Sequence, residues 1–142
     1  MEIIKATPSD AIKIEQIELA YRECPWTLNQ ISDALESENY DFLLGVDDGE
    51  TIGYVGIEWC LDEGNICNIA VVSEHRRKGY ATALLNSLIA LCENRGVKTL
   101  FLEVNELNAP AIKTYEKLGF SVYNVRKNYY GKQSAICMKK EI

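Results

Sequence analysis

The chain has 142 residues and a mass of 16.0 kDa, a length typical of one domain with a single core. Apolar residues make up 47% and charged residues 25% of it, a balance that excludes a disordered or fibrous protein. The formal net charge of −6 argues against nucleic acid as the main partner, because a phosphate backbone requires a basic face. It favours a cationic substrate, such as an amine or the tail of a basic protein.

No segment of the sequence predicts a membrane span or an export signal. The longest uncharged stretch, residues 79–92, is too short and too polar to cross a bilayer. Residues 1–5 have neither the basic region nor the small-residue cleavage site of a signal peptide. We therefore expect a cytoplasmic protein without membrane contact.

The cysteine pattern predicts neither a disulfide framework nor a metal site. Five cysteines are an odd number, none lies in C-x-x-C spacing, and His75 is the one histidine of the sequence. Because free cysteine is among the residue types most often buried, we expect all five to be buried reduced thiols. They are Cys24, Cys60, Cys67, Cys92 and Cys137.

The first half of the sequence predicts a strand, two helices and then three strands. Residues 2–6 form the first strand, and a helix starts after Thr7 and continues to Ala20 with apolar residues mostly at helical spacing. Thr27 is a candidate N-cap of the second helix. Apolar runs separated by acidic, glycine-containing turns predict strands over residues 41–46, 51–60 and 65–72.

The second half alternates helices with strands and closes with two strands. A polar loop, residues 73–81, precedes a long helix that ends at a cationic last turn followed by Gly96. Asn108 is a candidate N-cap of a shorter helix that ends at Gly119. The strands of this half are predicted over residues 97–104, 120–125 and 134–139, the last two joined by residues 126–132.

Together these elements predict one α/β (α+β) domain over residues 1–142. Their order is β-α-α-β-β-β-α-β-α-β-β, which corresponds to a mixed central sheet of about seven strands covered by four helices. The sequence shows no internal repeat and no composition change that would mark a domain boundary.

The polar loop before the long helix is the first candidate for ligand binding. Free backbone N–H groups at a helix start, together with the helix dipole, attract an anion. Gly79 allows the backbone to approach a phosphate closely, and the small Ala81 leaves the helix start uncrowded. Positive charge comes from Arg76, Arg77 and Lys78. The residues alone leave two interpretations open, a pyrophosphate site and a solvated basic surface.

Residues 68–71 (Asn-Ile-Ala-Val) and 76–81 (Arg-Arg-Lys-Gly-Tyr-Ala) resemble the acyl-CoA-binding motif of the GNAT family of N-acetyltransferases, Arg/Gln-x-x-Gly-x-Gly/Ala. Residues 24–26 (Cys-Pro-Trp) are similar to the branch of that family that acetylates the N-terminal alanine of a ribosomal protein. The resemblance covers essentially the whole chain and implies the GNAT fold. Further family motifs follow in the family's order at residues 102–104, 108–111, 115–120 and 126–130.

The resemblance implies an enzyme that uses acetyl-CoA as co-substrate and needs no metal. The strand at residues 69–71 would part from its neighbour and offer backbone N–H groups to the pantetheine and the thioester carbonyl. Residues 77–82 would hold the pyrophosphate. The implied cofactor contacts are Ile69, Ala70, Val71, Arg77, Lys78, Gly79, Tyr80, Ala81, Thr82, Asn108 and Tyr115.

Glu103 and Tyr115 are the implied catalytic residues. From the residues alone, Glu103 is either a paired structural charge or a base, and Tyr115 is either a packed ring or a proton donor. Acetyl transfer needs both functions, because an α-ammonium with a pKa of about 8 must lose a proton before it attacks and the CoA thiolate must gain one. The resemblance implies that Glu103 is the general base and Tyr115 the general acid, with direct attack in a ternary complex.

Two aromatic segments are the implied walls of the acceptor site, and we use the name acceptor slot for Cys24, Pro25, Trp26, Tyr129 and Tyr130. From the residues alone, Trp26 is equally a core aromatic, and the tyrosine pair equally a surface patch. The implied partner is a protein N-terminus, in particular a ribosomal protein that begins with alanine. We expect a monomer or a weak homodimer.

Two other functions stay open. An acetyltransferase for a small-molecule amine would also suit the acidic composition, whereas a non-catalytic acyl-CoA-binding module would not require Glu103 and Tyr115. The sequence also departs from the family at Thr82 and Asn105, where arginine is common. The first departure removes a cation near the phosphates, and the second changes the surroundings of Glu103.

Overall fold

The structure is a computed structural model that describes residues 1–22 and 24–142. Those residues form seven strands and four α-helices in the predicted order, so the predicted fold class is confirmed. The strands are β1 (Glu2–Lys5), β2 (Tyr40–Asp47), β3 (Glu50–Cys60), β4 (Glu63–Val71), β5 (Thr99–Asn105), β6 (Ser121–Tyr130) and β7 (Gln133–Glu141). The helices are α1 (Ala11–Tyr21), α2 (Leu28–Glu36), α3 (Tyr80–Arg95) and α4 (Ala109–Lys117), and 3₁₀ turns lie at Pro8–Asp10 and Ser73–His75. Among the helices of these residues, none is long and apolar enough to cross a bilayer.

The strands join one mixed sheet in the order β1-β2-β3-β4-β5-β7-β6. Neighbouring strands are antiparallel except β4 and β5, which are parallel. A parallel pair needs a long crossover connection, and α3 supplies it. This crossover places the start of α3 shortly after the end of β4, where the polar loop lies.

Two apolar clusters lie on opposite faces of the sheet. Leu43 and Val55 pack with α3 on one face, whereas their strand neighbours Phe42 and Tyr54 pack with α1 and α2 on the other. Within the described part of the chain, the α1–α2 cluster contains no residue of β5, β6 or β7. That half of the α1–α2 face is therefore left open.

The open half-face is the one toward which Glu103 points. In β5, Leu102 and Val104 are buried in the cluster around α3 and α4, while Glu103 between them is partly exposed. Since successive side chains of a strand point to opposite faces of the sheet, Glu103 lies on the α1–α2 side.

β4 parts from β5 after a short contact. Within the described residues, the parallel pairing covers three positions and ends at Asn65 and Phe101. Two residues later the pairing of β4 with β3 shifts, since Ile66 lies opposite Ile57 but Asn68 lies opposite Gly56. Such a one-residue bulge bends the strand and changes which side chains face which way. The bulge therefore turns β4 away from β5 and brings Asn68 to the α1–α2 side.

The predicted helix boundaries at Thr27 and Gly96 are confirmed. The Thr27 hydroxyl oxygen accepts a hydrogen bond from the Gln30 N–H at 3.1 Å, and the Gln30 side chain accepts one from the Thr27 N–H at 2.8 Å. This is a capping box at the start of α2. Gly96 ends α3 with a φ of 76°, the left-handed conformation that favours glycine.

Two expectations were wrong in detail. Cys92 and Cys137 are buried and Cys67 is partly buried, but Cys24 and Cys60 are exposed. Cys24 lies in the α1–α2 connection and Cys60 at the last position of β3. β6 continues to Tyr130 instead of ending at residue 125. Its ten residues are all exposed, so they lack the alternation from which a half-buried strand is predicted.

Replacing Thr27 by alanine should lower the free energy of unfolding by about 1 kcal/mol, because the substitution removes the oxygen that satisfies an N–H at the start of α2. Chemical denaturation followed by circular dichroism measures this loss. Thr27→Ser keeps the oxygen and serves as the matched control. Equal stability of the alanine and serine variants would show that the cap does not contribute.

Candidate active site

The end of β4 presents main-chain groups to the gap between β4 and β5. The Val72 N–H donates to the Ile52 carbonyl of β3 at 2.8 Å. Successive backbone N–H groups of a strand point to opposite edges, so the N–H groups of Val71 and Ile69 point away from β3. Because β5 has already parted from β4 at this point, these two donors face the gap. This geometry agrees with the predicted parting of residues 69–71 from the neighbouring strand.

The polar loop and the start of α3 form a second group of donors. Gly79 has a φ of 80° and Arg77 a φ of 63°, so the chain turns sharply before the helix. The first helical hydrogen bond runs from the Ala83 N–H to the Gly79 carbonyl at 3.0 Å. The N–H groups of Tyr80, Ala81 and Thr82 come before that bond, and N–H groups in this position have no partner within their helix. Together with exposed Arg77 and Lys78, they form an arrangement suited to a pyrophosphate.

Arg76 links the two groups of donors, a role that the sequence did not predict. Its Nε donates to the Val71 carbonyl at 3.0 Å, and its guanidinium lies 4.9 Å from the centre of the Tyr21 ring. The Tyr21 hydroxyl accepts a hydrogen bond from the Ser73 N–H at 3.2 Å. Arg76 occupies the first position of the family motif, which was the available signal, but the expected contacts began at Arg77.

Glu103 is a paired charge that remains accessible to water. Its Oε1 lies 3.1 Å from Nη1 of Arg126 in β6, and the Glu103 side chain is 29% exposed. The Cys137 thiol lies 3.9 Å from the same oxygen. The ion pair gives Glu103 a structural partner, and its partial exposure leaves room for a bound water beside the carboxylate. Both interpretations of Glu103, structural charge and base, are therefore compatible with this geometry.

Tyr115 is packed on α4 with 6% of its surface exposed. Its ring meets the Phe120 ring edge-on, with centroids 5.9 Å apart. Burial raises the pKa of Tyr115 to about 12, and the positive charge of Arg22 opposes this shift. The phenol is consequently protonated at neutral pH and has a proton to donate.

The two sides of the acceptor slot differ in packing. Trp26 is partly buried and contacts Tyr40 and Phe42 edge-on, with ring centroids 6.2 and 6.3 Å apart. Tyr129 and Tyr130 are exposed near the end of β6, with ring centroids 5.1 Å apart. Trp26 thus extends the α1–α2 cluster toward the surface, while the tyrosine pair lies at a sheet edge.

Electrostatic influence connects the slot to the catalytic candidates. The pKa of Tyr130 is raised by burial and then by the nearby Glu103 carboxylate, while Arg22 lowers it. Arg22 acts on Tyr115 as well. The charge of Arg22 at the end of α1 therefore influences both tyrosines, although Tyr115 packs in the cluster around α3 and α4 while Glu103 faces the open half-face.

Asn108, an implied cofactor contact, caps α4, since its Oδ1 accepts a hydrogen bond from the Ala111 N–H at 3.3 Å.

The pKa values of two cysteines bear on whether either is a nucleophile. Burial raises the pKa of the Cys67 thiol to about 12 and also raises the pKa of Cys137. Both are therefore thiols rather than nucleophilic thiolates at neutral pH. Over residues 1–22 and 24–142, no three His, Cys, Asp or Glu side chains are grouped as metal ligands.

Comparisons with known proteins agree with this arrangement. The acetyltransferase (GNAT) family profile matches residues 6–120. A ribosomal protein bS18-alanine N-acetyltransferase of Escherichia coli (strain K12) is 38% identical over 132 residues, which are 90% of this chain and 86% of that protein. A protein of the same name from Haemophilus influenzae is 34% identical over 125 residues, with 88% and 84% of the two chains covered.

The crystal structure of the ribosomal-protein-S18-alanine N-acetyltransferase from Escherichia coli superposes with a TM-score of 0.93 at 34% identity. The superposition covers 99% of this chain and 93% of that one. These matches cover most of the chain, including the parted edge of β4 and the loop before α3. The chain belongs to the GNAT family of N-acetyltransferases.

Proposed function

We propose that this enzyme transfers the acetyl group of acetyl-CoA to the α-amine of a protein N-terminus, in particular the N-terminal alanine of a ribosomal protein. The parting of β4 from β5 carries the acetyl-transfer part of the proposal, because it exposes main-chain donors of β4 at the gap whose other side is β5, the strand that carries Glu103. The choice of acceptor is supported by relatives of that name at 34 to 38% identity over most of the chain.

Acetyl-CoA would supply the activated acetyl group. In this proposal, the Ile69 and Val71 N–H groups bind its pantetheine and thioester, and Ala70 lies between them. Arg77, Lys78 and the N–H groups at the start of α3 bind its pyrophosphate, where the helix dipole favours negative charge. Asn108 and Tyr115 on α4 complete the contact. The acceptor peptide approaches from the α1–α2 side, through the acceptor slot.

Glu103, acting through a water molecule, takes a proton from the α-ammonium, whose pKa of about 8 makes a carboxylate base sufficient. The free amine then attacks the thioester carbonyl and forms the amide bond. The Val71 N–H donates to the carbonyl oxygen as negative charge develops on it. As the carbon–sulfur bond breaks, Tyr115 gives its phenolic proton to the departing thiolate. The nitrogen, which carries an extra proton after its attack, releases that proton through water to the Tyr115 phenolate, so the amide forms and the phenol is restored. The reaction needs no acyl-enzyme, in agreement with the protonated thiols of Cys67 and Cys137.

The acceptor is tested by incubating the enzyme with isotopically labelled acetyl-CoA and peptides that begin with Ala, Ser or Met, beside a panel of polyamines and aminosugars. Mass spectrometry should find the label on the α-amine of the alanine peptides. Labelling of intact ribosomal proteins should show the same position. A clear preference for free amines would replace the proposed acceptor, and binding without any turnover would indicate the non-catalytic module.

Gly79→Val should weaken CoA binding about tenfold, because a left-handed backbone costs a side-chain-bearing residue ~1–2 kcal/mol and the loop would shift to relieve it. Isothermal titration calorimetry with CoA measures the change. Gly96→Val is the matched control, since Gly96 has a similar φ of 76° at the other end of α3. Unchanged affinity in Gly79→Val would contradict the loop assignment.

Glu103→Gln should lower turnover by roughly 10²- to 10⁴-fold while CoA affinity stays nearly constant, because the amide cannot take the proton. Steady-state kinetics with the preferred acceptor measures the effect. Glu116→Gln, an exposed position on α4, controls for the loss of charge. Wild-type turnover in Glu103→Gln would remove Glu103 from the mechanism.

Tyr115→Phe should also lower turnover by roughly 10²- to 10⁴-fold, because the ring remains packed while the proton donor is lost. Because the pKa of Tyr115 is about 12, its deprotonation should not lower the wild-type rate up to pH 10. Kinetics at several pH values check both statements. A Tyr115→Phe variant as fast as wild type would assign the proton donor elsewhere. So would a wild-type rate that falls above pH 8 when the rate of Tyr115→Phe does not.

A further inference from the structure

We propose that Glu18 is a positioning residue that holds the Trp26 side of the acceptor slot in place against the parted end of β4. The proposal rests on the proposed function, because it assigns a role to the slot. Glu18 lies on α1 and its side chain has 0% exposure, so it touches neither solvent nor a substrate directly.

The Glu18 carboxylate accepts hydrogen bonds from three different parts of the chain. Its Oε1 accepts from the Tyr54 hydroxyl of β3 and from Nδ2 of Asn68 in β4, the latter at 2.8 Å. Its Oε2 accepts from the Trp26 backbone N–H at 3.0 Å and lies 3.4 Å from Nε of Arg22. We call these five residues the Glu18 network.

One arm of the network reaches the region where β4 bends. Asn68 directly follows the bulge position of β4 and directly precedes Ile69, the first main-chain donor that faces the gap. The hydrogen bond to Glu18 thus anchors β4 on the α1 side at the point where it departs from β5.

The other arm reaches the acceptor slot. Trp26 belongs to the α1–α2 connection, which lacks helical or strand hydrogen bonds of its own at this point. A charged acceptor strengthens a hydrogen bond from a backbone N–H, so the bond to Glu18 restricts where the Trp26 ring can lie. The charge of Arg22 also acts on Tyr115 and Tyr130, where it opposes the rise in pKa that burial causes.

Packing alone would favour an apolar side chain at position 18. The other buried residues of α1 are Ala11, Ile14 and Ile17, and a buried charge carries a desolvation cost that an apolar residue would avoid. A carboxylate accepts from several donors through both oxygens, whereas a glutamine offers one accepting oxygen and a donating amide. The need for two accepting oxygens explains why a carboxylate occupies position 18. Because this carboxylate has a desolvation cost, its role is to align the groups that it binds rather than to stabilise the fold.

Glu18→Gln is the decisive variant. The amide nitrogen of the glutamine cannot accept, so either the Trp26 N–H and Arg22 lose their acceptor or the Tyr54 hydroxyl and the Asn68 amide must turn round to accept from it. We expect the KM for an alanine-starting peptide to rise at least about tenfold, with the Kd for CoA changing less than about threefold. Amide hydrogen exchange followed by NMR should show faster exchange at Trp26 in the free enzyme.

Two controls separate alignment from stability. Ile31→Val weakens the same α1–α2 cluster without touching the carboxylate, and it should leave the peptide KM within about twofold of wild type. Glu15→Gln removes a charge one turn earlier on α1 and should likewise leave the peptide KM within about twofold of wild type.

Asn68→Ala is a second test of the network. It removes the hydrogen bond between β4 and Glu18 and keeps the carboxylate, and it should raise the peptide KM even if Glu18→Gln does not fold.

An unchanged peptide KM in a folded Glu18→Gln variant would overturn the proposal, as would an equal rise in Ile31→Val. If Glu18→Gln does not fold, an unchanged KM in Asn68→Ala overturns it. A wild-type enzyme that acetylates none of the peptides would instead contradict the proposed function. In that case unchanged exchange at Trp26 in the Glu18→Gln or Asn68→Ala variant still overturns the positioning role, and faster exchange supports it.

Discussion

The site depends on the failure of β4 and β5 to stay paired. A parallel pair that continued past Asn65 and Phe101 would satisfy the main-chain groups of Ile69 and Val71 within the sheet and leave them nothing to bind. The bulge in β4 prevents this by bending the strand and reversing its pleat. Main-chain donors are well suited to a thioester, because they are held by the sheet and need no reorganisation when charge develops on the carbonyl oxygen.

The same gap separates two chemical environments. On the α3 side, a loop with Arg77 and Lys78 and a helix start provide positive charge and free N–H groups, in a protein whose net charge is −6. On the α1–α2 side, the open half-face carries Glu103, and the tyrosines of β6 lie beside it. In the proposed function, this charge distribution attracts an anionic cofactor and a cationic acceptor to opposite sides of one strand, toward the place where β4 has parted from β5.

Two polar side chains, exposed Arg76 and buried Glu18, join the first helix region to the end of β4. Arg76 joins the Val71 carbonyl to Tyr21 at the end of α1, and Glu18 joins β4 to the Trp26 backbone. Both side chains connect the first helix to the end of β4, although the two segments are some fifty residues apart. A buried contact of this kind adds little to stability after desolvation, and in the proposed function its role is to align the elements that bind the two substrates.

The sequence by itself determined the order of elements, the helix boundaries at Thr27 and Gly96 and the position of the basic loop before α3, because periodicity and turn chemistry act over a few neighbouring residues. Family resemblance supplied Glu103 and Tyr115 as catalytic candidates. Only the tertiary structure decided that Glu103 is paired with Arg126, that Glu18 binds four partners, and that β6 extends to Tyr130. These features depend on groups brought together from distant parts of the chain, and an edge strand or a single buried charge leaves no periodic pattern in the residues around it.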